Sequence, residues 1–293
     1  MSPTEISFGT TIIPTVGGRT DPVEDALHAE ELGFDLVTCW DHLHGDTPSF
    51  ETWTLLTWIA SRTERIRIGT NVMGLPYRHP TVIAKMAETL HRLSGGRLVL
   101  GLGAGGNNAE FRAWGLDART PAEKVEATQE AIELIRAMWI EPEVMYEGFH
   151  FRTDHAQMEP KPETPIPIWV GAYGPRMIEL IGKIADGWIP SMTYAPPDRA
   201  ERMRERLRRA AEAAGRNPDD ITCAYNVVVL VQEGAQDPSG RVLAGSPDTV
   251  ARWLAEIARR GFTTLNLWPR GDRIGGRERL AKEVIPTARD MLA

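Results

Sequence analysis

One pattern constrains this chain more than any other. Short runs of β-branched and apolar residues alternate with longer segments of helical periodicity from one end to the other. Such alternation implies parallel strands joined by crossover helices. Eight strands are predicted, at Ile6 to Ile12, Leu36 to Trp40, Ile66 to Val72, Arg97 to Leu102, Ile168 to Gly171, Gly187 to Pro190, Cys223 to Val231 and Thr263 to Leu267. Unbroken apolar stretches such as Val227 to Val231 suit strands covered on both faces. Eight βα units within 293 residues match the arithmetic of a (β/α)8 TIM barrel, an α/β fold, so the expectation is a single domain over residues 1–293. The main insertion covers about residues 141–165. There Tyr146-Glu147-Gly148-Phe149-His150-Phe151 reads as a small hairpin before strand five.

Helix boundaries carry their own signals. Asp21, Pro22 and Asp25 open the first helix and Gly33 closes it. His79-Pro80 opens the third, Thr120, Pro121 and Glu123 the long fourth, and Ser246, Pro247 and Asp248 the seventh. The basic, alanine-rich stretch Arg199 to Gly215 reads as a solvated helix face.

Charge and motifs exclude several function classes. A net charge of −7, from 33 basic and 40 acidic residues, argues against nucleic acid or a membrane surface as partner. Met1 to Gly9 lacks the pattern of a signal peptide and no apolar run is long enough for a membrane span, so a cytoplasmic location is expected. Cys39 and Cys223 lie singly in strand-like runs without CxxC spacing and read as packing thiols. No metal site is expected, and no HExxH, GxSxG or Walker loop occurs. His28, His91 and His155 read as surface or structural residues without partners.

Barrel chemistry belongs just after the strands. Strand two ends in Trp40-Asp41-His42-Leu43-His44, strand three in Thr70-Asn71-Val72-Met73-Gly74, strand four in Gly101 to Asn108, and strand five in Gly171-Ala172-Tyr173-Gly174-Pro175-Arg176. An imidazole at a site mouth, such as that of His42, can pass a proton to or from a carbonyl, alcohol or enol. Asp41 either fixes its tautomer or bonds a cofactor; a purely structural loop pair before Glu51 is the plain alternative. Gly101, Gly103 and Gly106 spell GxGxxG, yet the acid of a dinucleotide fold does not follow where expected. Those glycines admit either a planar ring or a crowding neighbour. Gly174 and Arg176 stand where a helix N-terminus can receive an anion, or where a plain turn suffices.

Taken together, these segments resemble the luciferase-like family of barrel oxidoreductases, especially its deazaflavin (coenzyme F420) branch. The resemblance covers nearly the whole chain and is most specific at Trp40 to Leu43, Pro76 to Pro80, Leu93 to Gly105, Ile166 to Gly171 and Ala185 to Trp188. It implies that His42 serves in proton transfer, that Asp41 contacts the cofactor, and that a non-prolyl cis peptide, Asn71-Val72, backs the ring. Further cofactor contacts implied are Gly74, Ala104, Gly105, Asn107, Tyr173, Gly174, Arg176 and Met177. The glucose-6-phosphate dehydrogenases of this branch carry a catalytic glutamate where Gly106 stands and a phosphate-gripping lysine near Tyr194. Those departures, with Trp40, Trp188, Ser191, Met192 and Tyr194 near the mouth, point to a neutral, partly apolar substrate. The expected reaction is hydride transfer between F420 and a small organic molecule. FMN-dependent monooxygenation on the same scaffold is the alternative, and a non-catalytic flavin-binding protein a third reading. The resemblance also implies a homodimer.

Overall fold

A computed structural model describes residues 6–18 and 20–293 of the chain. Met1 to Glu5, part of the stretch read for a signal peptide, lie outside the described residues. The eight predicted strands are all present: β1 (Ser7–Thr11), β2 (Leu36–Cys39), β3 (Arg67–Thr70), β4 (Leu98–Gly103), β5 (Ile168–Gly171), β6 (Gly187–Trp188), β7 (Thr222–Val231) and β8 (Thr264–Pro269). They pair in parallel in the order β7-β8-β1-β2-β3-β4-β5-β6, and β6 pairs back onto β7, which closes the barrel. This is a (β/α)8 architecture.

Helices wrap the barrel, and those capped by Asp21, His79, Thr120 and Ser246 begin where the sequence places them. Asp21 caps α1 (Pro22–Glu31) and Glu51 caps α2 (Thr52–Arg62). His79 caps α3 (Pro80–Leu93) and Asn107 the short α4 (Asn108–Ala113). Thr120 and Glu123 form a reciprocal capping box on α5 (Pro121–Ile140), which satisfies two otherwise orphaned backbone N–H groups. Gly174 precedes α6 (Pro175–Ile184) without a side-chain cap. The basic stretch forms α7 (Pro197–Ala213), and Ser246 caps α8 (Pro247–Arg259).

Two short strands escaped the sequence reading. Met73–Gly74 pairs with β4 and Leu243–Gly245 with β7. Each is too brief, and too close to a glycine, to show a period. The expected hairpin is formed by Val144–Glu147 against Arg152–Ala156, its turn lying within the predicted segment.

Apolar burial divides into two shells. Inside the barrel, Leu36, Val99, Trp169, Ile189 and Ala224 pack together with Val72 against them. A far larger cluster fills the space between the strands and the helices. Both cysteines are buried, and burial pushes the Cys39 thiol up to about 12. Asp25, an early acid of α1, is also buried and pairs with buried Arg277, tying the C-terminal helices to α1.

The three histidines set aside in the sequence do have partners. His28 lies 3.6 Å from Glu278, His91 Nε2 lies 2.8 Å from the Thr164 hydroxyl, and His155 Nδ1 lies 2.6 Å from Glu143. The Thr164 and Glu278 partners are remote in the chain, so pattern could not reveal them. None of the three histidines lines the cavity at the strand ends. Among the described residues no group of His, Cys, Asp and Glu is disposed to hold a metal, and no helix is long and apolar enough to cross a membrane.

Candidate active site

The C-terminal ends of β2 to β6, with Asn226 from the middle of β7, open onto one cavity of about 600 Å³. His42, Asn71, Gly105 and Gly174, which are far apart in sequence, all line it. So do Asp41, Val72, Gly74, Ala104, Tyr173, Arg176, Met177, Ser191 and Tyr194.

The glycines explain how the floor is made. A Cβ on Gly103 would fall 2.5 Å from Val72 Cγ2, and one on Gly171 would fall 3.1 Å from Val72 Cγ1. Val72 therefore sits in a notch that only bare backbone leaves open. Its peptide with Asn71 is cis. Gly101 answers a different need, since its Cβ would meet the Thr70 carbonyl oxygen at 2.0 Å. The GxGxxG-like run thus serves the close approach of β3 to β4 more than a pyrophosphate. Gly106 and Gly174, by contrast, face open space.

Asn71 is held from below by neutral polar groups. Its Nδ2 donates to Asn226 Oδ1 at 2.7 Å, and Asn266 Nδ2 donates to the same oxygen at 2.7 Å and to Thr11 Oγ1 at 3.0 Å. These amides come from β7 and β8, so the strand furthest along the chain supports the loop after β3.

Charge is arranged around the rim. Asp41 is fully buried and accepts from Arg78 Nη1 at 2.8 Å and from the Gly74 backbone N–H at 3.1 Å. Arg78 also pairs with Glu51, which accepts from the N–H groups of Trp53 and Thr54 as the cap of α2. Burial alone would raise the Glu51 pKa; its Thr54 and Trp53 hydrogen bonds and Arg78 outweigh it and hold the carboxyl below the usual range.

The partner of His42 is Glu110, with Nδ1 3.2 Å from Oε2. The Tyr77 hydroxyl donates to Oε1 of the same carboxylate, and the His44 N–H approaches that oxygen at 3.4 Å. Glu110 is buried, which would raise its pKa, but the bonds from Tyr77 and His42 prevail and lower it. Burial and then Glu110 push the Tyr77 phenol up, so it stays a donor. The His42 ring itself is 65% exposed toward the open side.

Past Asn71, a smaller cavity of about 250 Å³ is walled by Trp40, Trp268 and Tyr194, with Thr11, Ser191 and Asn226 as polar contacts. The rings of Trp40 and Trp268 lie 5.2 Å apart at 43°. Arg241, Arg270 and Arg273 line a separate cleft that shares the Trp268 wall.

Several sequence expectations need correction. Trp188 is not at the mouth. It is fully buried in the outer shell, its Nε1 donating to the Ala172 carbonyl at 3.0 Å and its ring beside Phe262, because the alternation of side chains along β6 turns it toward the helices. Met192 is likewise buried and lines neither cavity. Asn107 is exposed and its Oδ1 accepts from the Ala109 N–H as the cap of α4, so it does not line the cavity. Asp41 does not orient His42, since its oxygens are taken by Arg78 and Gly74. Sequence reasoning also missed Glu110, Tyr77, Lys124 and Asn226. Glu110 looks like an ordinary first-turn acid, and its histidine lies 68 residues away.

A family model described as luciferase-like monooxygenase matches residues 10–239. The chain belongs to that family. It is 36% identical over 228 residues to an F420-dependent glucose-6-phosphate dehydrogenase of Nakamurella multipartita, covering 75% of this chain and 66% of that protein. It is 31% identical to a 5,10-methylenetetrahydromethanopterin reductase of Methanolobus tindarius, covering 84% and 74% of the two chains. The matched stretch spans just under two thirds of the first of these relatives. Among solved structures, an F420-dependent secondary alcohol dehydrogenase bound to an F420–acetone adduct superposes with a TM-score of 0.87 at 20% identity, over 98% of this chain and 100% of the other. At that identity the likeness speaks for the fold alone.

Proposed function

We propose that this chain is an F420-dependent oxidoreductase that transfers a hydride between the deazaflavin and a small, uncharged organic substrate, with His42 giving or taking the proton. The relatives named for F420 support the cofactor. The residues present fit it on two counts. Gly106 and Gly174 leave space that any side chain would occupy, and Val72 rises into the cavity as an apolar surface for a flat ring. The uncapped start of α6, with the backbone N–H groups of its first turn, Arg176 and Lys124 at the same cavity, suits an anionic group of the cofactor.

When bound, the deazaflavin supplies two-electron hydride chemistry. The chain supplies everything else. Gly74, Ala104, Gly105, Tyr173, Gly174, Arg176 and Met177 would hold the cofactor, and the Asn71 amide ladder fixes the floor. His42 is placed to accept a proton from an alcohol at its ring nitrogen, or to return one to a carbonyl or activated alkene. Trp40, Tyr194 and Ser191 line the small cavity past Asn71, which shares Asn71, Ser191, Tyr194 and Asn226 with the main one. No Lys, Arg, Asp or Glu side chain lines the small cavity, which favours an uncharged substrate over a sugar phosphate.

The observation that carries this reading is the convergence of His42, Val72 and the α6 N-terminus on one cavity. Fluorescence titration with F420 and FMN tests the cofactor, and tight binding of FMN alone would favour monooxygenation instead. His42→Ala should bind F420 as the wild type does and lose turnover with alcohols or ketones. Binding without turnover in the wild type would favour a storage role, and efficient oxidation of glucose 6-phosphate would overturn the uncharged substrate. A homodimer and a cytoplasmic location complete the proposal; sedimentation at micromolar concentration checks the former.

A further inference from the structure

The His42 side chain is 65% exposed, so packing covers only about a third of it. What grips it is the Glu110 carboxylate on α4, and that carboxylate is itself fully engaged. Glu110 Oε2 faces His42 Nδ1, while Oε1 receives the Tyr77 hydroxyl and the His44 N–H. Asp41, the neighbouring acid, cannot substitute, because Arg78 and the Gly74 N–H occupy it.

An ionised carboxylate only accepts hydrogen bonds, whereas neutral imidazole carries one donor nitrogen and one acceptor. Nδ1 must therefore bear the hydrogen whenever His42 is neutral. That leaves the Nε2 lone pair as the ring's only basic site. From this geometry we infer that Glu110, braced by Tyr77, is a positioning residue that fixes His42 in the Nδ1–H tautomer with Nε2 as the atom that exchanges protons with substrate. The inference rests on the proposed role of His42 and adds the group that sets it. It also accounts for Tyr77, whose hydroxyl holds Glu110 in place without reaching the histidine.

The closing experiment needs neither cofactor nor substrate. Long-range ¹⁵N–¹H correlation spectra of the labelled protein, with His42→Ala to assign the ring, report which nitrogen bears the hydrogen at a pH where His42 is neutral. The Nδ1–H form is expected in the wild type, and the Nε2–H form would overturn the inference. Glu110→Leu should convert His42 to the Nε2–H form, and an unchanged tautomer would again overturn it. If that variant loses its fold, the double variant Tyr77→Phe/Glu110→Leu, which leaves no orphaned hydroxyl, carries the same readout. In F420-dependent turnover, Glu110→Leu should lower kcat at least tenfold while the F420 Kd stays within threefold; an unchanged kcat would count against the inference. A wild type with the expected tautomer but no activity on any alcohol or ketone would count against the hydride reading alone.

Discussion

Substituting Arg78 by methionine isolates the ion pair beneath the rim. Asp41 is 0% and Arg78 13% exposed, so both charges are out of bulk water. In Arg78→Met, Asp41 keeps only the Gly74 N–H, and Glu51 keeps the N–H groups of α2. Removing one member of a buried pair costs about 3–5 kcal/mol because the remaining charge stays desolvated. At roughly 2–4 °C per kcal/mol, Tm should fall by about 6–20 °C. Urea unfolding at pH 7, followed by circular dichroism, measures the free-energy loss, provided the slope m is unchanged, and thermal unfolding the Tm. The double variant Arg78→Met/Asp41→Asn should recover much of the loss, because the orphaned charge is then gone. A single variant within about 1 kcal/mol of wild type, or a double variant worse than the single, would refute the argument.

Four other outcomes test the site and its supports. Gly174→Ala should unfold within about 0.5 kcal/mol of wild type, since φ is −84° and no atom lies near the new Cβ, while F420 affinity falls about tenfold. Gly101→Ala should lose more than about 3 kcal/mol or fail to accumulate, its Cβ being driven into the Thr70 carbonyl. Trp188→Ala should cost about 3–5 kcal/mol and leave substrate KM unchanged, whereas Trp40→Ala should raise KM; the reverse pattern would return Trp188 to the mouth. Glu110 has its pKa lowered in the folded protein, so its stabilisation is present above the unfolded value of about 4.3 and lost as pH falls through the lower folded value. The stability gap between wild type and Glu110→Gln should therefore narrow from pH 7 to pH 3, and a constant gap would be contrary evidence.

Local chemistry alone set the elements of this molecule. Asp21, Thr120 and Ser246 cap helices because a side-chain oxygen reaches N–H groups two or three residues on, and the largely β-branched run Val227 to Val231 forms a strand, with Val227, Val229 and Val231 buried and Val228 and Leu230 half-buried. Eight repeats of that pattern imply a closed barrel, and closure puts every strand end at one mouth. For that reason His42, Asn71 and Gly174 could be grouped before any coordinates were known.

What tertiary structure decided is where each side chain points and what meets it there. Trp188 ends β6 and Trp40 follows β2, yet one turns into the outer shell and the other into the small cavity. Asp41 adjoins His42 in the loop after β2 but answers to Arg78, while Glu110, on α4, takes the histidine. Hydrogen bonds and close packing act over about 3–4 Å in space, without regard to distance along the chain.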